Sequence, residues 1–379
     1  MRVAPTALPN FFPKIGPATF CSLFDGFDSS LPRPSGRAWA DEADVIVRQH
    51  LSAFALQTRD AATTIPADIR ALFRERSFAE AGKTSRVLLQ SAPAMELLAQ
   101  RAIPFVVVKG PGIARYQGGE AMRPYSDIDL LVAPRLFRRS MQLLEGQGYR
   151  EDPRSTPTRD VLNSVGREAV NLRSPAGGSL DLHHHIAPWL WGRALRFDRL
   201  HSASRTQAVA GVDLPMAGAA HNLLIAALHV VSDRGRPGRT LRAWRDVVAL
   251  AHASCATTVV EEASDTDLAG WLLWILRNLP EQIRPVELYD RLSQVSGSLS
   301  NGRRLQRLLP PHAASRHLMG QLLRLPLPNA VAFAAATALP SRSFLVAKYP
   351  VQPSYVTWWK ESVHGLQQAR SEQHGDGML

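Results

Sequence analysis

The chain has 379 residues, of which 45% are apolar and 20% charged, and it carries a net charge of +11. That length allows two or three packed units, and the balance of apolar and charged residues excludes a disordered chain and a membrane-embedded one. Two cysteines, Cys21 and Cys255, exclude a disulfide framework or a cysteine-built zinc cluster and fit a reducing compartment.

Residues 1–36, rich in Pro, Gly and Ser, read as an irregular N-terminal arm. They hold no apolar stretch leading to a small-residue cleavage site, so the expected location is the cytoplasm. From Ala38 to Arg101 apolar residues recur at helical spacing, first at Val45, Val47, Leu51, Phe54 and Leu56, later at Val87, Leu88, Met95 and Leu98. This predicts an N-terminal helical segment over 37–94.

The texture changes at Ile103, where a β-branched run to Val108 predicts a buried strand entering a turn at Lys109-Gly110. A second strand is predicted at Ile128–Val132, then a helix from about Arg135 to Gln147 that stops at Gly148. After a variable stretch around 150–165 come a strand at Ala169–Leu172, a turn at Gly177-Gly178 and a strand at Ser179–Ile186. Together these predict an α+β core over 95–190.

Beyond Pro188 the pattern is helical again and predicts a C-terminal domain over 191–367. Its clearest pieces are His221–Val231 and Leu241–His252, joined by a loop at 233–238, with further helices at 267–279, 285–296 and 302–325. The apolar run Ala330–Leu339 is about half the length that crosses a bilayer and reads as a buried helix. Residues 368–379 read as a frayed tail. From Arg291 to Lys360 there are nine basic residues and no acid, which makes either a surface for polyanions or a set of solvated helix faces.

Within this frame the residues that carry chemistry are acidic. In Ser126-Asp127-Ile128-Asp129-Leu130, strand alternation puts Asp127 and Asp129 on one side and Ile128 and Leu130 on the other. Two adjacent carboxylates repel unless a cation lies between them. Mg²⁺ suits such oxygen ligands, and Mn²⁺ is the alternative ion. Asp181, in a second strand-like alternation, would complete a triad if its strand lies beside the first, and three carboxylates suit a site for two ions.

The order Val108-Lys109-Gly110, Arg123, Asp127-Ile128-Asp129-Leu130-Leu131-Val132, Gly148-Tyr149 and Leu180-Asp181-Leu182-His183 resembles the bacterial uncharacterised nucleotidyltransferase family of the DNA polymerase β superfamily. Leu223–His229 followed by Leu241-Arg242-Ala243-Trp244-Arg245-Asp246 is similar to that family's C-terminal helices, so the likeness covers roughly residues 85–255. The resemblance implies a polymerase β-like core with a small mixed sheet, flanked by N-terminal helices and a helical C-terminal domain. It also implies metal-dependent transfer of a nucleoside monophosphate from an NTP, with ATP the expected donor and Asp127, Asp129 and Asp181 as catalytic metal ligands. The glycine motif departs from the superfamily's usual Gly-Ser or Gly-Gly form, since Pro111 and Gly112 follow Gly110.

Around these acids, Lys109, Gly110, Arg123, Ser126 and His183 are the candidate nucleotide-binding residues. Gly110 would let backbone amides approach phosphate. Arg123 would contact phosphate or brace a carboxylate. The run His183-His184-His185 admits a zinc reading, and His229 with Asp246 reads as a satisfied buried polar pair. Trp358-Trp359 would stack on a base or pack a helix. The acceptor is not encoded in a motif; RNA and a phosphorylated biosynthetic intermediate both fit the basic charge. A phosphotransferase or a metal-dependent phosphohydrolase could use the same acids, whereas a binding module would have no use for them.

Overall fold

In the computed structural model the described residues are 17–24, 34–152, 168–186, 195–209, 212–232, 240–295, 342–349 and 353–361, with 327, 331 and 340. The loop at 233–238, the helix expected at 302–325, most of the 150–165 and 330–339 stretches and the tail from 368 lie outside them.

The β-branched run after Ile103 forms β1 (Phe105–Val108), every residue of which is buried. Beside it runs β2 (Ile128–Val132), also buried throughout. Continuous apolar runs of this kind belong in the middle of a sheet covered on both faces. The sheet has seven strands in the order β3-β4-β5-β2-β1-β7-β6. Its other members are β3 (Arg150–Glu151), β4 (Ala169–Arg173), β5 (Ser179–His183), β6 (Arg205–Val209) and β7 (Val212–Met216). Strand β2 pairs antiparallel with β1 and parallel with β5, so the sheet is mixed. The fold is α+β, as expected.

One face of the sheet carries Phe105, Val107, Ile128, Leu130, Leu180 and Leu182. They pack under α7 (Phe137–Gly146) and the second half of α5 (Ala67–Gln100). The opposite face presents Val106, Val108 and Leu131 to a larger, mostly helical core. That core takes α9 (Ala219–Ser232), α10 (Thr240–Ala253), α11 (Ala256–Asp265), α12 (Ala269–Arg277) and α13 (Val286–Val295). It takes the N-terminal helices as well: Phe20 of α1 (Pro17–Ser22), Trp39 of α2 (Gly36–Arg48), Phe54 of α3 (Ser52–Leu56) and Ala61 of α4 (Ala61–Thr64). Phe73 of α5 and Trp244 of α10 are buried in this same cluster.

Two boundaries therefore look different in space from their place along the chain. The N-terminal helices do not merely lead in, because they share a core with the C-terminal ones. The sheet also runs past residue 190: β7 pairs with β1 at Val107↔Met216, and the Ala217 amide donates to the Val107 carbonyl at 3.0 Å. Between β5 and β6 lies α8 (Phe197–Ser202), and α6 (Gly110–Ala114) follows β1; the last labelled helix is α14 (Arg342–Lys348). Among the described residues no helix is long and apolar enough to cross a membrane.

Candidate active site

Strand register brings the acids together. In the parallel β2–β5 pairing, Asp129 lies opposite Asp181 and Leu131 opposite His183. Since Leu180 and Leu182 point into the core under α5, Asp181 and His183 take the other face by alternation, the face of Asp129. Asp127 stands one residue before β2 begins, outside the ladder. Its approach is fixed by Thr84 of α5, whose hydroxyl accepts from the Tyr125 amide at 3.1 Å and donates to the Tyr125 carbonyl at 3.2 Å.

Asp129 is the hub. Its Oδ1 accepts from Lys109 Nζ at 2.8 Å and lies 2.8 Å from His183 Nε2. The other ring nitrogen, Nδ1, is 3.1 Å from the His185 carbonyl. A carbonyl only accepts, so Nδ1 carries a proton and Nε2 is turned to the carboxylate. An imidazole nitrogen and a carboxylate oxygen at that distance need a proton or another cation between them. A backbone carbonyl that fixes the tautomer of an imidazole in this way is the usual support for a metal-binding histidine. Ligand atoms of Asp129, Asp181 and His183 all lie within 4.8 Å of one another, close enough for one ion. The trio within reach of a single ion thus contains His183 and not Asp127, because Asp127 precedes the ladder.

The electrostatics follow from burial and crowding. Burial pushes the Asp181 carboxyl up, and the charges of Asp129 and Asp127 add to it, to about 7. Asp127 is raised for the same reasons, burial first and then Asp129. Burial alone would raise Asp129 too, but Lys109 and His183 outweigh it and hold Asp129 well below the usual carboxylate range. Burial pulls the Lys109 ammonium down, and Asp129 with its neighbours more than reverses this. Asn171 of β4, in register with Asp181, donates its carboxamide to Asp181 Oδ1.

Lys109 sits on a strained turn, with φ of 55°, in a region that favours glycine. The turn is held by Asn222 of α9, whose Oδ1 accepts the Lys109 amide at 3.0 Å and whose Nδ2 donates to Ala217 O at 2.8 Å. A Cβ on Gly112 would lie 2.9 Å from that Nδ2. On Gly110 it would make ordinary contacts of 3.5 Å with the Tyr125 ring. The tightest packing on this turn is thus at Gly112, against an amide side chain.

Arg123 is buried and braces a carboxylate, as one of its two sequence readings has it, but the partner is Asp246 of α10. Its Nε and one terminal nitrogen meet the two carboxylate oxygens at 2.8 and 2.7 Å, and Gln117 adds a third bond to Asp246 at 2.7 Å. Asp246 therefore draws its partners from the loop before β2. Beyond β5, the His184 and His185 amides both donate to the Glu168 carbonyl, and His184 is buried against Phe137. The His run accordingly offers one imidazole to the acids, and the zinc reading from paired histidines finds no second one. Trp358 packs edge-on against Phe344, with the Lys348 ammonium over its ring.

A cleft of about 720 Å³ opens over the acids and takes in Lys109, Gly110, Arg123, Ser126, Asp127, Asp129 and Asp181. His183 reaches it through Asp129. The same cleft is lined by residues not foreseen: Arg48 and His50 at the end of α2, Glu80 and Lys83 on α5, and Arg242 on α10. Asn171 and Asn222 were missed too. Asn171 did carry a signal, as a polar residue between Val170 and Leu172 in an apolar strand; Asn222 lies in a helix with no local mark.

A family model described as uncharacterised nucleotidyltransferase matches residues 35–279. The chain belongs to this nucleotidyltransferase family. The match runs from the start of α2 to the end of α12, so helices α2–α5 and strands β6–β7 fall within the family's unit and the likeness is wider than 85–255. No curated protein matches. Among solved structures, the antibiotic-resistance factor ANT(2'')-Ia in solution is 14% identical with a TM-score of 0.34, over 48% of this chain and 91% of that one. Its crystal form with adenylyl-2''-tobramycin gives the same identity and score over 98% of that chain. A nucleotidyltransferase-like antigen from Paracoccidioides brasiliensis is 15% identical with a TM-score of 0.31, over 49% and 91%. These likenesses are too distant to bear on individual residues of the site.

Proposed function

We propose that the protein transfers a nucleoside monophosphate from an NTP, with ATP the first candidate, to an oxygen of an acceptor. The observation that carries this reading is the in-register pair Asp129 and Asp181 on one sheet face, lining a cleft with Asp127 and with His183 against Asp129. Carboxylates with a single imidazole suit Mg²⁺, with Mn²⁺ accepted through the imidazole. Asp129, Asp181 and His183 would hold one ion, and Asp127 would share a second with Asp129. When bound, the ions neutralise the triphosphate and acidify the attacking hydroxyl.

The chain's own groups then position and exchange protons. An acceptor oxygen attacks the α-phosphorus, the α–β bridging bond breaks, pyrophosphate departs, and the acceptor's proton passes to Asp181. Lys109, relieved of Asp129, offers its ammonium to a phosphate oxygen. Ser126 and Gly110 flank the nucleotide. Such chemistry asks little more of a protein than placement and charge. The acceptor classes that fit the basic charge are RNA and a small phosphorylated intermediate.

The test is to supply α-labelled and γ-labelled ATP in parallel, with Mg²⁺ and a metabolite extract. Transfer of the α label with matching pyrophosphate release, lost in Asp129→Asn, is the expected result. Transfer of the γ label with ADP release would establish a phosphotransferase instead.

A further inference from the structure

The cleft's charges divide into those already matched and those not. Asp129 takes Lys109 and His183, Asp246 takes Arg123, and Glu80 takes His50, whose Nδ1 lies 2.6 Å from Oε1. Arg242 donates to the Pro124 carbonyl and its charge acts on Asp127, so it belongs, with Lys109, to the acidic end. Two cations in the lining are left. Arg48 and Lys83 pair with no acid among the described residues.

Their wall is built to hold its shape. The α2 helix ends with His50 in the left-handed region, φ 56°, a position that usually falls to glycine. The amides of Gln49, His50 and Leu51 all close back on α2. Gln49 is buried and its Oε1 accepts the Leu241 amide at the start of α10 at 3.2 Å. The turn is thereby tied to the helix that also carries Arg242 and Asp246. His50 then bridges to Glu80, one helical turn from Lys83, so Arg48 and Lys83 flank a fixed contact. Glu80 is engaged by His50 through Oε1, and neither Arg48 nor Lys83 pairs with it among the described residues.

We propose that Arg48 and Lys83 form a second phosphate subsite, which holds the phosphate, or an equivalent dianionic group, of the acceptor. This rests on the nucleotidyl-transfer reading for the word acceptor, and it favours a small phosphorylated intermediate. Lys109 and Arg242, both of which act on Asp127, serve the donor's triphosphate at the acidic end. A cleft of about 720 Å³ lies in the upper part of the range of about 300–1,000 Å³ usual for ligand sites, which is room for a nucleotide and a small partner together.

The experiment titrates inorganic phosphate into the full chain saturated with Mg²⁺ and the non-hydrolysable analogue α,β-methylene-ATP, and measures the analogue's own affinity separately. Phosphate should bind saturably. Arg48→Gln with Lys83→Gln should weaken it at least tenfold and leave the analogue's affinity within twofold. Absent phosphate binding, or binding unchanged in the double variant, overturns the subsite. A tenfold loss of analogue affinity in the double variant overturns the assignment to the acceptor and gives the two cations to the donor's triphosphate. If the wild-type chain does not bind the analogue, the nucleotidyl-transfer reading fails and the acceptor assignment with it. Phosphate titrated without nucleotide would then still show whether Arg48 and Lys83 hold an anion.

Discussion

Asp129 Oδ1 lies 2.8 Å from Lys109 Nζ and 2.8 Å from His183 Nε2, whereas the side chain of Asp127, two residues earlier, has among the described residues only the Ser126 hydroxyl at 3.4 Å as a hydrogen-bond partner. The two carboxylates of the acidic pair are therefore unequal. Removing a carboxylate that is crowded by like charge relieves strain; removing one that compensates a buried cation exposes the cation's cost.

Asp127→Asn should leave thermal stability unchanged or raised, while Asp129→Asn should cost on the order of 3–5 kcal/mol, the range for breaking one side of a buried pair. Both should lose turnover by about 10²-fold or more, as for removal of a strong electrostatic contact to the reacting group. Paired thermal melts and transfer assays check this. Equal melting points for the two variants would show that Lys109 does not depend on Asp129.

In the proposed site Lys109 and a divalent cation would compete for Asp129 Oδ1. In the absence of nucleotide, Lys109→Met should therefore raise Mn²⁺ affinity, by about tenfold, a modest share of what one ion pair is worth at a partly buried site. His183→Gln should act in the opposite sense and weaken Mn²⁺ binding by about 10–100-fold, as for loss of a supporting or ligating imidazole. Calorimetric titration of both variants reads the two signs. A lower Mn²⁺ affinity in Lys109→Met would place the ammonium away from the ion's site.

What could be read along the chain and what could not divide by the range of the contacts involved. Strand β2 was legible at Ile128–Val132 because a short apolar run interrupted by an acid is anomalous anywhere but at a site. Strands β6 and β7 were not, since Arg205–Val209 is mostly exposed and Pro215 weakens the signal of a strand. The carboxylates could be named, but the partner of Arg123 is 123 residues away. The wall at Arg48 and Lys83 depends on N-terminal helices folding back over the sheet, which no local pattern announces.

Gly112, rather than Gly110, is the glycine that a side chain should disturb. Gly112→Ala would press its Cβ against Asn222, the residue that holds the Lys109 amide, whereas Gly110→Ala would make ordinary contacts. Gly112→Ala should thus cost about 1–3 kcal/mol, as overpacking does, and lower turnover by more than tenfold; Gly110→Ala should leave stability unchanged. Melts on the two alanine variants decide it, and a larger loss in Gly110→Ala would place the tighter packing at Gly110.

The Arg123–Asp246 pair fastens the loop before β2 to α10, and its acid response follows from the direction of the Asp246 shift. Burial alone would raise that carboxyl, but the charge and hydrogen bonds of Arg123, with help from Arg242 and Gln117, hold it below its ordinary value. A carboxyl depressed in the folded state contributes stability above its unfolded pKa of about 3.9, and loses it as pH falls through that value toward the folded one. The wild-type chain should therefore lose stability steeply below about pH 4. Asp246→Asn strands a buried guanidinium and should cost about 3–5 kcal/mol at neutral pH, with a flatter acid limb because the titrating group is gone. Denaturant melts of both proteins between pH 7 and pH 3 measure the two slopes. Parallel acid limbs would assign the acid response to other carboxylates and reduce the Arg123–Asp246 contact to one that does not hold the loop.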